Sequence, residues 1–228
     1  MAKRSLLIFL TLFIVILGGV ISFFVLQKTK EAPAPFGLSW GMSQTDFRQL
    51  GVALNSCRFQ GFTTVCTVTS LPRNLPNATF YGLFFTPDDG LIKITYVSKN
   101  FHNNVWDIKR DIETCQGGRE NGRGVLLILS YKYDNLRSDL SEQYGPPTAV
   151  IEKIESDIKC RSFFQHLADD LGTWASVWKL PQYNIVLELN GIKIPTRDWI
   201  KHTGYVRLDY ESPKFIALQN EYKDGYAL

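Results

Sequence analysis

The stretch ATFYGLFFTPDDGLIKITYV, Ala78 to Val97, decides how the rest of the chain is read. Ala78 to Thr86 carries Phe80, Phe84 and Phe85, side chains that suit a pleated, half-buried surface. Pro87-Asp88-Asp89-Gly90 follows. Proline presets φ, aspartate bonds its own backbone, and glycine supplies a positive φ, so this is a turn with a mechanism. Leu91 to Val97 then alternates. The spacing predicts two antiparallel strands joined in a hairpin.

Working outward, Thr63 to Thr69 is β-branched and alternating, a third strand. Ahead of it, Ser43-Gln44-Thr45-Asp46 opens a short helix that Gly51 stops, with Ser43 accepting from a first-turn amide. Phe47 and Leu50, three apart, are expected to face the core. Trp40 is expected to pack across the helix start like a staple. On the other side, Val105, Ile108, Ile112 and Cys115 predict a helix over Asn104–Cys115, and Gly117–Gly124 a loop. Val125–Leu129 suits strand or helix. Tyr133, Leu136, Leu140 and Tyr144 form one helical face, ended by Gly145-Pro146-Pro147.

A second set of strands is predicted at Ala149–Ile154, Arg161–Leu167, Trp174–Leu180, Asn184–Leu189 and Tyr205–Tyr210, with a short helix over Phe215–Tyr222. Tyr183–Leu189 reads as a central strand. Runs of strands punctuated by few helices define an α+β fold of antiparallel meanders. Each part has a helix ending at a glycine, Gly51 or Gly145, and then a meander. That order admits an internal duplication with halves 36–124 and 125–228, although residue identity between them is too low to claim one.

Ahead of the domain, Ser5 to Leu26 is an uncharged run of 22 residues flanked by Lys3 and Arg4. As a helix it would rise about 33 Å, enough for a hydrocarbon core of about 30 Å. It exceeds a signal-peptide apolar region of about 7–15 residues, and cleavage after Val20-x-Ser22 would leave a start at Phe23-Phe24. The reading is therefore a retained signal anchor over 5–27, with secretion after cleavage as the alternative. Residues 1–4 form a cytoplasmic tail, 28–35 a stiff Pro-containing linker, and 36–228 an exported domain held near the bilayer of a single-pass protein.

The whole chain is formally +3, and Lys3, Arg4, Lys28 and Lys30 against Glu31 account for the excess. The remaining domain is neutral with interspersed charges, so nucleic acid is not an expected partner. Four cysteines, Cys57, Cys66, Cys115 and Cys160, fit disulfides in an oxidising compartment. Of three pairings, Cys57–Cys66 is favoured, because Arg58 to Thr63 can turn back around Gly61; Cys115–Cys160 would follow.

Chemistry is sparse. Gly117 and Gly122 match part of a phosphate loop, but Arg123 and Gly124 stand where Lys and Ser/Thr are needed. No G-x-S-x-G occurs, and His102, His166 and His202 have no ligand or triad spacing. Asp88-Asp89 and Asp169-Asp170 read as turn residues, and Trp174 and Trp178 share one strand face as packing residues. No catalytic residue, cofactor or metal ligand is nominated.

Gly41-Met42-Ser43, followed by Phe47 and Leu50-Gly51, resembles the helix-opening motif of BamE/SmpA-like small bacterial envelope proteins. Here the gap from Phe47 to Leu50 is one residue shorter, the lipid-attachment cysteine is missing, and the domain is about twice as long. The resemblance implies a helix-plus-antiparallel-sheet unit that binds proteins without catalysis, with Gly41 and Gly51 as structural positions. The expected function is a membrane-tethered, extracytoplasmic protein-binding module with a protein partner in the envelope. An immunity or inhibitor protein at the membrane surface, or an enzyme of unrecognised type, are the alternatives.

Overall fold

The computed structural model describes residues 32–99, 123–154, 163–195 and 200–225. The hairpin from Ala78 to Val97 is present as β5 (Ala78–Thr86) and β6 (Gly90–Ser98), paired antiparallel from Ala78↔Ser98 to Thr86↔Gly90. β4 (Thr63–Val68) lies beside β5, and β3 (Asn55–Gln60) beside β4. The later strands are β7 (Ala149–Ile154), β8 (Gly172–Lys179), β9 (Asn184–Pro195) and β10 (Ile200–Glu211). All eight form one antiparallel sheet in the order β3-β4-β5-β6-β10-β9-β8-β7. Two shorter strands, β1 (Pro33–Ala34) and β2 (Leu38–Ser39), pair with each other as a separate two-stranded ladder.

The helices are α1 (Gln44–Gln49), α2 (Arg123–Tyr144), α3 (Phe163–Ala168) and α4 (Pro213–Gly225). One helix precedes each four-strand meander, and the last strands of the two, β6 and β10, pair at the centre of the sheet. The second run begins within the first turn of α2, so Val125–Leu129 is helical and the expected junction at 124 falls inside that turn. The segment from Pro33 to Leu228 is one compact unit. Pro33 and Ala34, expected in the linker, pair as a strand with Ser39 and Leu38 within it.

One face of the sheet buries Ser176 and Trp178 of β8, Ile185, Leu187 and Leu189 of β9, and Val206, Leu208 and Tyr210 of β10; on β4–β6 the same face buries Cys66, Tyr81, Leu83, Phe85, Ile94 and Tyr96. This face carries the core, and α1, α2, α3 and the segment around Phe36 pack on it. Phe36, held at φ 63°, sets its ring edge-on 5.3 Å from Tyr81 and 5.4 Å from Tyr210. Tyr133 of α2 bonds Ser176 at 2.8 Å inside the sheet layer, and burial pushes its phenol up to about 12. Gly145 closes α2 at φ 84°, donating to the Ser141 carbonyl, and its own carbonyl accepts from Trp178 Nε1 at 2.9 Å.

α1 follows its sequence signals closely. Ser43 Oγ accepts from the Asp46 amide while Asp46 Oδ2 accepts from the Ser43 amide at 2.7 Å, a reciprocal capping box. At the other end Val52 N donates to Phe47 O and Gly51 N to Arg48 O, with Gly51 at φ 73°. This left-handed stop corrects one expectation. Helix geometry ends at Gln49, so Leu50 points outward with 49 % exposure, and Val52 takes the buried place beside Phe47. Trp40 is buried too, and its ring packs edge-on against Tyr183 of the later part. Its Nε1 has no partner among the described residues, so packing alone holds the ring there.

A second correction concerns Arg161–Leu167, expected as a strand. Phe163–Ala168 is helical, and His166 is buried in that helix instead of lying across from Leu167 on a strand. The cause is tertiary. Gly191 and Gly204 face each other across β9 and β10, which leaves a bare strip on the sheet. A Cβ at Gly204 would overlap the Phe164 ring, and one at Gly191 would overlap the α3 backbone. The strip therefore admits a helix where any larger residue would keep it out. β9 and β10 run past the expected ends to Pro195 and Ile200 for the same reason: their distal halves pair with each other beneath α3.

Cys57 and Cys66 form the favoured disulfide across the β3–β4 hairpin, whose turn contains Gly61 at φ 61°. Cys115, Cys160, His102 and the helix expected over Asn104–Cys115 lie outside the described residues. The bond closes a loop of sequence separation 9. A Cys57→Ala/Cys66→Ala variant is expected to lose about 2–3 kcal/mol by the chain-entropy argument. Urea unfolding with and without reductant measures this. A wild type insensitive to reductant would mean the hairpin holds itself.

Candidate binding face of the sheet

The opposite face of the sheet is built differently. On β10 its residues are Tyr205, Arg207, Asp209 and Glu211; on β6 they are Lys93, Thr95 and Val97. Arg207 is opposite Val97 on one side and Glu188 of β9 on the other, and Asp209 is opposite Thr95. Strand pairing thus forces charged side chains from three neighbouring strands onto the same rungs.

Asp209 is the centre of this cluster, with 1 % side-chain exposure. Lys93 Nζ lies 2.9 Å from its Oδ2 and 2.9 Å from Glu211 Oε1. Arg207 donates Nε and Nη2 to Asp209 Oδ2 at 3.0 and 2.7 Å, and Thr95 Oγ1 donates to Oδ1 at 2.6 Å. Burial by itself would raise the carboxyl's pKa; Lys93, then Arg207, and the hydrogen bonds from Arg207 and Thr95 outweigh it and hold the group below the ordinary carboxylate range. Glu188 completes the set, 3.6 Å from Arg207 Nη2.

One end of this face is covered by α4. Ser212 caps it, accepting from the Phe215 amide at 3.1 Å. Phe215 packs 5.8 Å from the Phe62 ring and 6.4 Å from Phe84, and Lys93 Nζ stands 4.6 Å above it. Lys93 therefore has two jobs, neutralising Asp209 from one side and seating α4 from the other. Lys214 adds an ion pair to Asp89 of the β5–β6 turn at 3.3 Å.

Beyond α4 the face opens into a groove of about 550 Å³. Phe80, Val97 and Ile192 supply apolar walls, and Tyr205, Arg207 and Lys99 supply polar ones. Burial pushes the Tyr205 phenol up, so the hydroxyl stays a donor at neutral pH. A smaller cavity of about 340 Å³ lies where Ser43 and Gln44 meet Thr86 and Asp88. Two of its hydroxyls are engaged locally, Ser43 with Asp46 and Thr86 with Asp89.

Among the described residues, none of those nominated from sequence as disulfide or structural positions lines the groove. Trp40, Gly41, Ser43, Gly51 and Gly145 hold the other face together, and Cys57 and Cys66 staple an edge hairpin. Asp88-Asp89 forms its turn, and Asp169 pairs with Lys193. Among the described residues no cluster of His, Cys, Asp and Glu could hold a metal ion. No helix among the described residues is long and apolar enough to cross a membrane; the apolar run 5–26 lies outside them. The groove had one sequence signal, the alternation of Tyr205, Arg207, Asp209 and Glu211 with Val206, Leu208 and Tyr210. No family model matches the chain, and no curated protein or solved structure was found to be similar to it.

Proposed function

We propose that this chain is a non-catalytic protein-binding module, tethered to a membrane by its N-terminal apolar run and working in an exported compartment, with envelope assembly as its setting. The observation that carries the reading is the unequal treatment of the two sheet faces. One is filled by helices and aromatic packing. On the other, α4 covers one end, and the rest presents an open groove beside an ionic cluster centred on buried Asp209. A rigid, half-apolar surface with fixed donors suits recognition, since its side chains are ordered before a partner arrives. The Cys57–Cys66 bond supports an oxidising location. The helix opening at Gly41-Met42-Ser43, similar to that of BamE/SmpA-like proteins, supports binding over catalysis.

In-cell crosslinking of the full-length anchored protein, followed by mass spectrometry, tests this. A saturable partner from the exported compartment is the expected result, and its identity separates assembly from inhibition of a toxin or hydrolase. Cytosolic partners would overturn the topology. Abundant, folded protein with no reproducible partner would overturn the binding role.

A further inference from the structure

The groove has a chemical bias. Among the described residues, the charged ones lining it are Lys99 and Arg207, and none is a carboxylate. Arg207 is held by its inner edge: Nε and Nη2 turn to Asp209, and Glu188 stands 3.6 Å off Nη2. A guanidinium carries five N–H donors in a planar fork, so engagement of one edge leaves the Nη1 end for an incoming acceptor. Tyr205, two residues earlier on β10, is on the same side of the sheet, and exposed Lys99 continues from β6. Opposite these donors, Phe80 (36 % exposed), Val97 and Ile192 offer apolar contact. The groove is open to solvent. Small-molecule sites bury roughly 70–90 % of their ligand, which favours a segment of a larger molecule here.

We propose that this groove docks an acidic segment of a protein partner. A carboxylate of that segment meets the Nη1 end of Arg207, with Tyr205 and Lys99 as further donors. An adjacent apolar side chain covers Phe80, Val97 and Ile192. Asp209 and Lys93 are positioning residues beneath the site: they fix the plane of the guanidinium without reaching the partner. This inference rests on the binding role proposed above and adds to it the place and the chemistry.

The test keeps the protein full-length and anchored in cells. A benzophenone amino acid replaces Phe80 in the groove or, in separate strains, Val150 on edge strand β7 or Phe59 on edge strand β3, which are 49 % and 75 % exposed. The expected result is capture of a protein from position 80. The crosslinked peptide should carry Asp or Glu within a few residues of the attachment point. Capture should fall about tenfold when Lys99→Glu and Tyr205→Phe are combined, because each removes one contact to a charged acceptor. A synthetic copy of the captured peptide should bind the full-length protein in nanodiscs, and its amide counterpart should bind at least tenfold more weakly. Capture from Val150 or Phe59 alone would overturn the groove assignment while leaving the binding role intact. A lipid adduct at position 80, or a captured peptide without a carboxylate, would also overturn it. No capture at any position would overturn both.

Discussion

Asp209→Ala is expected to cost about 3–5 kcal/mol of folding stability, the range for breaking a buried charge set by removing one partner. The loss arises less from the bonds removed than from what remains. Among the described carboxylates, Lys93, 8 % exposed, keeps Glu211, and Arg207 keeps its long contact to Glu188. Asp209→Asn should recover little, because an amide cannot neutralise two cations. The pH dependence has a definite sign. The folded carboxyl titrates below its ordinary value, so the folded state binds fewer protons there than the unfolded chain. The contribution is fully present above the unfolded value of about pH 4 and is lost as pH falls through the folded pKa. Urea unfolding of wild type and Asp209→Asn should therefore converge as the solution is acidified below about pH 4. Parallel curves across that window would place the stabilisation elsewhere. Because Lys93 also seats Phe215, the variant should lose hydrogen-exchange protection first in α4.

Gly90→Ala is expected to rival it, at roughly 3 kcal/mol or more. Gly90 sits at φ 63°, which an L side chain rarely adopts. A Cβ there would overlap the Gly41 carbonyl oxygen and come within 2.8 Å of Met42 O. Both obstacles are backbone, so no rotamer change relieves them. The same few residues make two bonds, Gly41 N to Leu91 O and Leu91 N to Met42 O, each 2.9 Å, which tie the strap before α1 to the start of β6. Displacing that strap should loosen Trp40 and α1 together. The measurement is the unfolding midpoint of Gly90→Ala beside Gly51→Ala. Gly51 also has positive φ, but a Cβ there would have no neighbour within 4 Å, so its cost should be the conformational part alone. Equal losses would mean that contact with the strap contributes nothing.

The comparison between these glycines shows where sequence is informative. Gly90 after Pro87-Asp88-Asp89 announces a turn, and the turn is there. That its missing side chain makes room for another segment's carbonyl is invisible, because the neighbour is about fifty residues away in the chain. The same holds for α3. Its six residues are too few to specify a helix by period, and Gly191 and Gly204 explain it only once β9 and β10 are paired. Leu50 misleads for a different reason: its spacing from Phe47 is helical, but the left-handed Gly51 ends the helix before it and turns Val52 inward.

Local order was set by the sequence alone: the capping box at Ser43 and Asp46, the stops at Gly51 and Gly145, the β5–β6 hairpin, the Cys57–Cys66 staple and the α+β class. The class follows from the order of strands and helices along the chain; each of the others depends on residues close in sequence, so short-range sterics and hydrogen bonding suffice to specify it. Tertiary structure alone decided which strands meet. By pairing β6 with β10 it carries Lys93 onto Asp209, 116 positions later, and aligns Val97 with Arg207. Charges that read as ordinary solvated residues along the chain become a buried cluster on one face, because register, not sequence distance, determines which side chains share a rung.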